Sequence, residues 1–324
     1  MPGIASNAAF RLHFDKTINK LFYGEELARK KYYSKLFSME KAPPGADYTE
    51  ASMTELGLAR ELAEGQRVEF DVPAEGNKVS RYYKKAGLGV QFTEELLDDD
   101  LHKKWMQVPK ALVDSIEEKI EYDAANVLSL GFTTMLGQDG LPLFANNHVT
   151  LKGAVTRNNL GSAALSPESL KAAFDYGQKM VGENGFKKPR KVKTVVVHPD
   201  NMWVINEILK NTGRVWDYAG GSAAKGLVDS GGMKYAPSDP HAKNQLNPSN
   251  GVVDDWNFVV WPYLADANDW FVLYEDYDLR GFWKWKPTLE KDGDFGTGNL
   301  VYKATARYNF FSNRYERMWG ASVT

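Results

Sequence analysis

The sequence predicts an α+β fold, in which one long helix is the spine to which the strands and the other elements attach. Three observations carry this expectation. Leu112, Ile116, Ile120, Ala124 and Leu128 recur every four residues, with Val113 and Val127 beside them, the mark of a helix with one buried face. Strand-like runs of aromatic and β-branched residues crowd the last quarter of the chain, at 256–261, 270–275, 279–285 and 300–310. Helices and strands follow one another with no internal repeat, so a repeat array is excluded.

The long helix organises the chain. Thr93, followed by Glu94 and Glu95, suits the start of a short helix, and Asp98, Asp99 and Asp100 lie near enough to its amino end to be favoured by the dipole. Pro109 fits a first helical position better than an interior one, so a break near Gln107 and a restart at Pro109 are expected. A helix over 109–130 would span about 33 Å. Glu117, Glu118, Glu121 and Asp123 are expected on its wet side, and Gly131 as a left-handed carboxy-terminal cap.

Before the helix, residues 1–41 are mixed and charged and read as an arm. Residues 42–51, with paired prolines and Gly45, read as a loop. A hairpin is expected over 66–85, pairing Gln66–Val72 with Val79–Lys84 around turn residues Pro73 to Asn77. Val90–Phe92 reads as a short strand.

Beyond the helix, Asp139–Pro142 is turn chemistry and 146–165 a long polar loop. Ser166, Pro167 and Glu168 open a helix with Leu170, Ala173, Phe174, Gly177 and Val181 inward, ending near Gly182. Val192–His198 is a β-branched run expected as a buried strand. Pro199 and Asp200 then start a helix carrying Met202, Ile205, Ile208 and Leu209. Residues 212–251, rich in Gly, Asn, Ser and Pro, read as a long functional or mobile loop. In the strand 300–310, Leu300, Tyr302, Ala304, Ala306 and Tyr308 alternate with Val301, Lys303, Thr305 and Arg307.

Composition narrows the function. The chain has 324 residues, 43% of them hydrophobic and 13% aromatic, enough for about two packed domains. Forty basic against 42 acidic residues give a net charge of −2, which argues against a protein whose main work is gripping nucleic acid. The absence of cysteine removes disulfides, thiolate nucleophiles and Cys-based zinc sites. The amino terminus lacks a basic then apolar leader pattern, and no apolar run approaches a membrane span, so a soluble chain retained in the cytoplasm is expected.

No motif singles out chemistry. Gly220 to Gly226 lacks the phosphate-loop spacing, and Gly87-Leu-Gly89 lacks a third glycine in register. His13, His102, His148, His198 and His241 lie far apart, so any metal site would have to be assembled by the fold. Asp98 to Asp100 resembles a carboxylate cluster, but helix-dipole placement explains it. Lys187 to Lys193 is better read as a solvated approach to the following strand than as a phosphate contact.

The order of segments carries more. Gly87-Leu-Gly-Val-Gln-Phe-Thr-Glu-Glu95 with Asp98 to Asp100, Ala124-Ala-Asn-Val-Leu128, and Asp139-Gly-Leu-Pro-Leu-Phe144 with His148 come first. Ala267-Asn-Asp-Trp-Phe271, Trp285-Lys-Pro287, Asp292 to Phe295 and Tyr302-Lys-Ala-Thr-Ala-Arg307 follow. With these, the sequence from about Ala51 onward resembles the major capsid proteins of tailed bacteriophages with the Hong Kong 97 type shell fold, in particular the Mu-like major head subunit branch.

The resemblance implies an amino-terminal arm over 1–50 and an E-loop region over 51–90 that holds the hairpin 66–85. It further implies a peripheral domain from 90–164 and 274–324 built on the spine helix, and an axial domain from 165–273. It implies hexamers and pentamers of one protein in an icosahedral shell around a double-stranded DNA genome, found in the virion and assembled in the host bacterial cytoplasm. Expected subunit-interface residues are Phe70, Asn77, Lys78, Arg81, Tyr83 and Lys84 on the hairpin, with Asp98, Asp99 and Asp100 beyond it; Phe70 and Tyr83 are the expected anchors. Expected partners are a separate scaffolding protein, a portal, a decoration protein and non-specific contact with packaged DNA, with no membrane and no cofactor. Some relatives form Lys-Asn crosslinks, for which Lys78 or Lys84 with Asn309 or Asn313 are chemically able. The rival expectation is a cytosolic enzyme with a pocket lined by the aromatic strands from Trp256 to Trp285.

Overall fold

The structure, a computed structural model, describes residues 16–24, 30–73, 75–93, 107–150, 155–182, 184–210, 246–248, 255–293 and 299–323. The expected helix after Thr93, with Asp98 to Asp100, and nearly all of the loop 212–251 lie outside the described residues. Two compact units divide the chain. One comprises Met1–Thr49, Ser80–Ala124 and Leu279–Phe311, the other Glu50–Val79, Ala125–Asp278 and Ser312–Thr324.

The first unit is built on a four-stranded sheet. Its centre is the antiparallel pair Arg280–Gly293 and Leu300–Phe311; Ser38–Lys41 lies parallel on one flank and Lys84–Phe92 antiparallel on the other. The strand expected over 279–285 therefore runs much further, through a register slip between Trp285 and Thr288. Pro287 sits in that slip, where its missing N–H costs no ladder bond. Strand 84–92 is likewise longer than the 90–92 expected, held by a full register against 300–308.

The long helix occupies Val108–Ser129, and Leu112, Val113, Ile116 and Ile120 are buried as their spacing predicts. Two of the acids expected on the wet side are buried instead. Glu121 accepts the backbone N–H groups of Tyr32 at 2.5 Å and Tyr33 at 3.2 Å, and Glu117 pairs with Lys31 at 3.3 Å. They hold the arm: Tyr33, Leu36 and Phe37 are buried, and Tyr33 and Phe37 meet Phe310 edge-on. Residues 16–24 are helical, with Ile18 packed among Phe92, Leu300 and Tyr302.

The second unit is built on a five-stranded sheet in the order Leu160–Gly161, Met318–Ala321, Trp270–Tyr274, Val192–Val197, Asn257–Val260. The two outer pairings are parallel and the inner two antiparallel. Met318–Ala321 thus joins this sheet, although sequence reading groups 274–324 with the long helix. The helix Pro167–Gln178 starts as expected, Ser166 and Ser169 capping each other's backbone with Pro167 at the first position. Helix Met202–Lys210 follows a turn over Pro199–Asn201. Leu170, Ala173, Ile205 and Ile208 from these helices join Val195, Val197, Val272 and Tyr274 in one buried cluster. Trp256, Trp261 and Trp270 are buried too, so these aromatics fill a core instead of lining an enzyme pocket.

Gly131 is not a left-handed cap. The helix runs on into a 3-10 turn over Leu130–Phe132, where Gly131 is buried. A Cβ there would lie 2.7 Å from the Phe144 ring, so the constraint is close approach, not backbone sign.

Candidate assembly interface

Residues 47–82 form a two-armed finger. Its root is the two-stranded sheet of Asp47–Met53 and Glu75–Tyr82. The Thr49 and Ser80 hydroxyls are 2.7 Å apart, and the Ser52 hydroxyl donates to the Asn77 carbonyl at 3.3 Å. Further out the arms carry no strand ladder and are tied by side chains. The Gly57 N–H donates to Asp71 Oδ2 at 2.6 Å, and Arg60 meets Glu69 at 3.0 Å. The tip is a turn in which the Gln66 N–H donates to the Ala63 carbonyl at 3.0 Å and Gly65 takes a φ of +80°.

This corrects the expected hairpin. Every cross-pair is centred on Glu64 and Gly65, so the turn is there and not at Pro73 to Asn77, and Gln66–Val72 is an arm of the loop instead of a strand. The physical reason is conformational: Gly65 has the positive φ a tight reversal needs, whereas Gly76 is extended within a strand. Glu64-Gly65 was a turn signal as good as Pro73 to Asn77; Asp47–Met53, the true partner of 75–82, was hidden in a stretch read as loop.

The finger's outer arms expose Leu56, Leu58, Leu62, Val68, Phe70 and Val72. Phe70 is 93% exposed, Val72 80% and Leu58 73%. So large an apolar display on a segment with few internal bonds is left uncovered by the described residues.

The other expected interface residues fall in different places. Asn77 is exposed at the root, and Lys78 is exposed and paired with Glu75 at 3.1 Å. Arg81 is half-buried, its guanidinium 6.0 Å from the Phe311 ring centre, and Lys84 is exposed opposite Tyr308. Tyr83, expected as an anchor on a neighbour, is only 7% exposed and packs with Phe282 and Phe311 in its own chain. It falls between two strands, facing inward, and burial pushes its hydroxyl above the usual phenol range. Asn309 and Asn313 are also buried; Asn313 donates to Glu50 at 2.7 Å and to Asp278 through its backbone at 3.1 Å.

Near the root, Lys188 pairs with Glu55, and the Asn184 amide donates to the Leu56 carbonyl at 2.6 Å. A groove of about 620 Å³ opens here, with Ser52, Met53, Glu55 and Asn77 on one side and Arg314 to Arg317 among the residues facing it. Asp139 at its edge holds His148, which is fully buried, with Nδ1 2.5 Å from Oδ2, while the imidazole stacks on Tyr315 at 3.7 Å. Among the described residues no group of three or more His, Asp or Glu is placed to hold a metal, and no helix is long and apolar enough to cross a membrane.

A family model described as phage capsid protein matches residues 81–318. No curated protein matches. Among solved structures, the capsid of cyanophage P-SCSP1u matches at 11% identity and a TM-score of 0.56, over 91% of this chain and 89% of that one. The capsid of a native GTA particle matches at 10% identity and a TM-score of 0.55, covering 91% of each chain. A chain from Gordonia phage Cozz matches at 12% identity and a TM-score of 0.54, over 91% and 87%. Such identities speak to the fold. The chain belongs to the phage capsid protein family. Its role is structural: it is a major subunit of a phage capsid, with the Hong Kong 97 type shell fold.

Proposed function

We propose that the chain self-assembles into hexamers and pentamers through its finger, whose exposed apolar arms lie on the neighbouring subunit. The observation that carries this is the display of Leu58, Phe70 and Val72 to solvent on a loop with almost no internal ladder. A two-stranded projection of this kind is marginal in water and gains its support from a second surface. Head-to-tail contacts of one such finger per subunit close into rings when the rotation allows. On this reading the four-stranded sheet and long helix form the peripheral part of the subunit, and the five-stranded sheet with its two helices the axial part. The chain works by assembly and not by catalysis, in the host cytoplasm, with a scaffold, a portal and a decoration protein as its partners and packaged DNA as a non-specific contact.

The test is to replace residues 58–70 by a short Gly-Ser link, and separately to make Phe70→Ala. Both variants should keep parental circular dichroism and thermal midpoint, because these residues bury little in their own chain. Electron microscopy and sedimentation should then show no closed shells for the link variant and fewer for Phe70→Ala. Normal shells from the link variant would overturn the reading.

A further inference from the structure

The groove at the finger's root is lined by more cations than its own carboxylates satisfy. Arg157, Lys188, Arg190, Arg314 and Arg317 face it, against Glu55, Asp139 and Glu316. Those three are already engaged: Glu55 with Lys188, Asp139 with His148, and Glu316 with Arg157 at 3.8 Å. Arg190 reaches the exposed Asp276 at 3.3 Å, and Arg317 donates to the Asp276 carbonyl at 2.7 Å. Among the described residues no hydrogen bond or ion pair engages the Arg314 side chain, which is half-buried. Burial, and after it the fields of Arg190 and Arg314, hold the Arg317 guanidinium below its usual range against the opposing fields of Glu316 and Asp276.

Between these charges lie the apolar side chains of Met53, Leu141 and Val149, beside the polar Ser52, Asn77, Gln138 and Thr150. Phosphates of a DNA backbone would use the guanidiniums and leave the apolar side chains uncovered. A chain that alternates carboxylates with apolar side chains would use both, and guanidinium forks bind carboxylates in two-pronged geometry.

We propose that this groove is a docking site for an acidic linear peptide segment of an assembly partner, whose carboxylates meet Arg314 and Arg317 and whose apolar side chains rest on Met53 and Val149. Because Ser52, Met53, Glu55 and Asn77 form one wall, an occupant bridges the arginines to the root of the finger and fixes the direction in which the finger leaves the subunit. The site lies within one compact unit and does not depend on where the finger's tip docks.

The test uses unassembled full-length subunit and a fluorescein-labelled ten-residue peptide alternating Glu and Leu, read by fluorescence anisotropy. Saturable binding is expected, weakening as salt rises and falling roughly ten-fold in Arg314→Ala and in Arg317→Ala, with Arg314→Lys in between. Among the described residues the Arg314 side chain has no hydrogen bond or ion pair to lose, so its variants keep the fold even if Arg317→Ala does not. No saturable binding at millimolar peptide, or equal binding by Arg314→Ala, would overturn the proposal. So would tighter binding of a single-stranded DNA oligonucleotide of equal charge, which would make this a phosphate site. Loss of subunit self-association in Arg314→Glu without peptide binding by the parent would make the occupant a second copy.

Discussion

Glu121 shows how a single carboxylate can decide the placement of a segment almost ninety residues away. Its oxygens take the N–H groups of Tyr32 and Tyr33, donors at the start of a 3-10 turn that has no side-chain cap of its own. Glu121→Ala should cost about 1–3 kcal/mol for each buried N–H left unpaired. The urea midpoint should fall, and protease should gain access to residues 30–37; unchanged stability and protection would show that the arm is held by Phe310 and its neighbours alone. Glu117 and Glu121 were hidden from sequence reading for a plain reason. Charge patterning assigns acids to water, and only a partner from another part of the chain can make their burial favourable. Tyr83 misleads in the same way: alternation cannot say which face of an arm turns home.

At the scale of elements, the long helix was legible because its apolar residues from Leu112 to Leu128 hold one face over about four turns. Ile116→Ala and Ile120→Ala should each cost about 2–5 kcal/mol, since both side chains are fully enclosed and leave a cavity. Urea unfolding of the soluble subunit measures this, and variants as stable as the parent would mean the site collapses around the smaller side chain. The helix cap at Ser166, the strand at 192–197 and the strand at 300–311 were legible for similar local reasons. The finger was legible as a projection but not in its register. Two glycine-containing turn candidates lay within a dozen residues, and the choice between them rests on the strand Asp47–Met53, whose pattern is too mixed to announce itself. The groove was not legible at all, since its arginines come from 157, 190 and 314–317, brought together only by the fold.

For the whole molecule, the order of strands in the first unit has a consequence for how the protein is made. The two central strands, Arg280–Gly293 and Leu300–Phe311, come late in the chain, while both flanking strands, Ser38–Lys41 and Lys84–Phe92, come early. Strand 38–41 waits for a partner roughly 240 residues downstream. At synthesis rates of about 5–20 residues per second that is on the order of 12–48 seconds, during which two sheet edges have nothing to pair with. Ribosome-bound chains halted at residue 250 should therefore be cut readily by protease between 84 and 92, and full-length released chains should resist; equal resistance would mean that these strands find a temporary partner. The delay acts as a checkpoint in time. A prematurely terminated chain lacks the centre of its sheet, so a translation error yields a polypeptide that cannot be built into a growing shell and leave a defect in its wall.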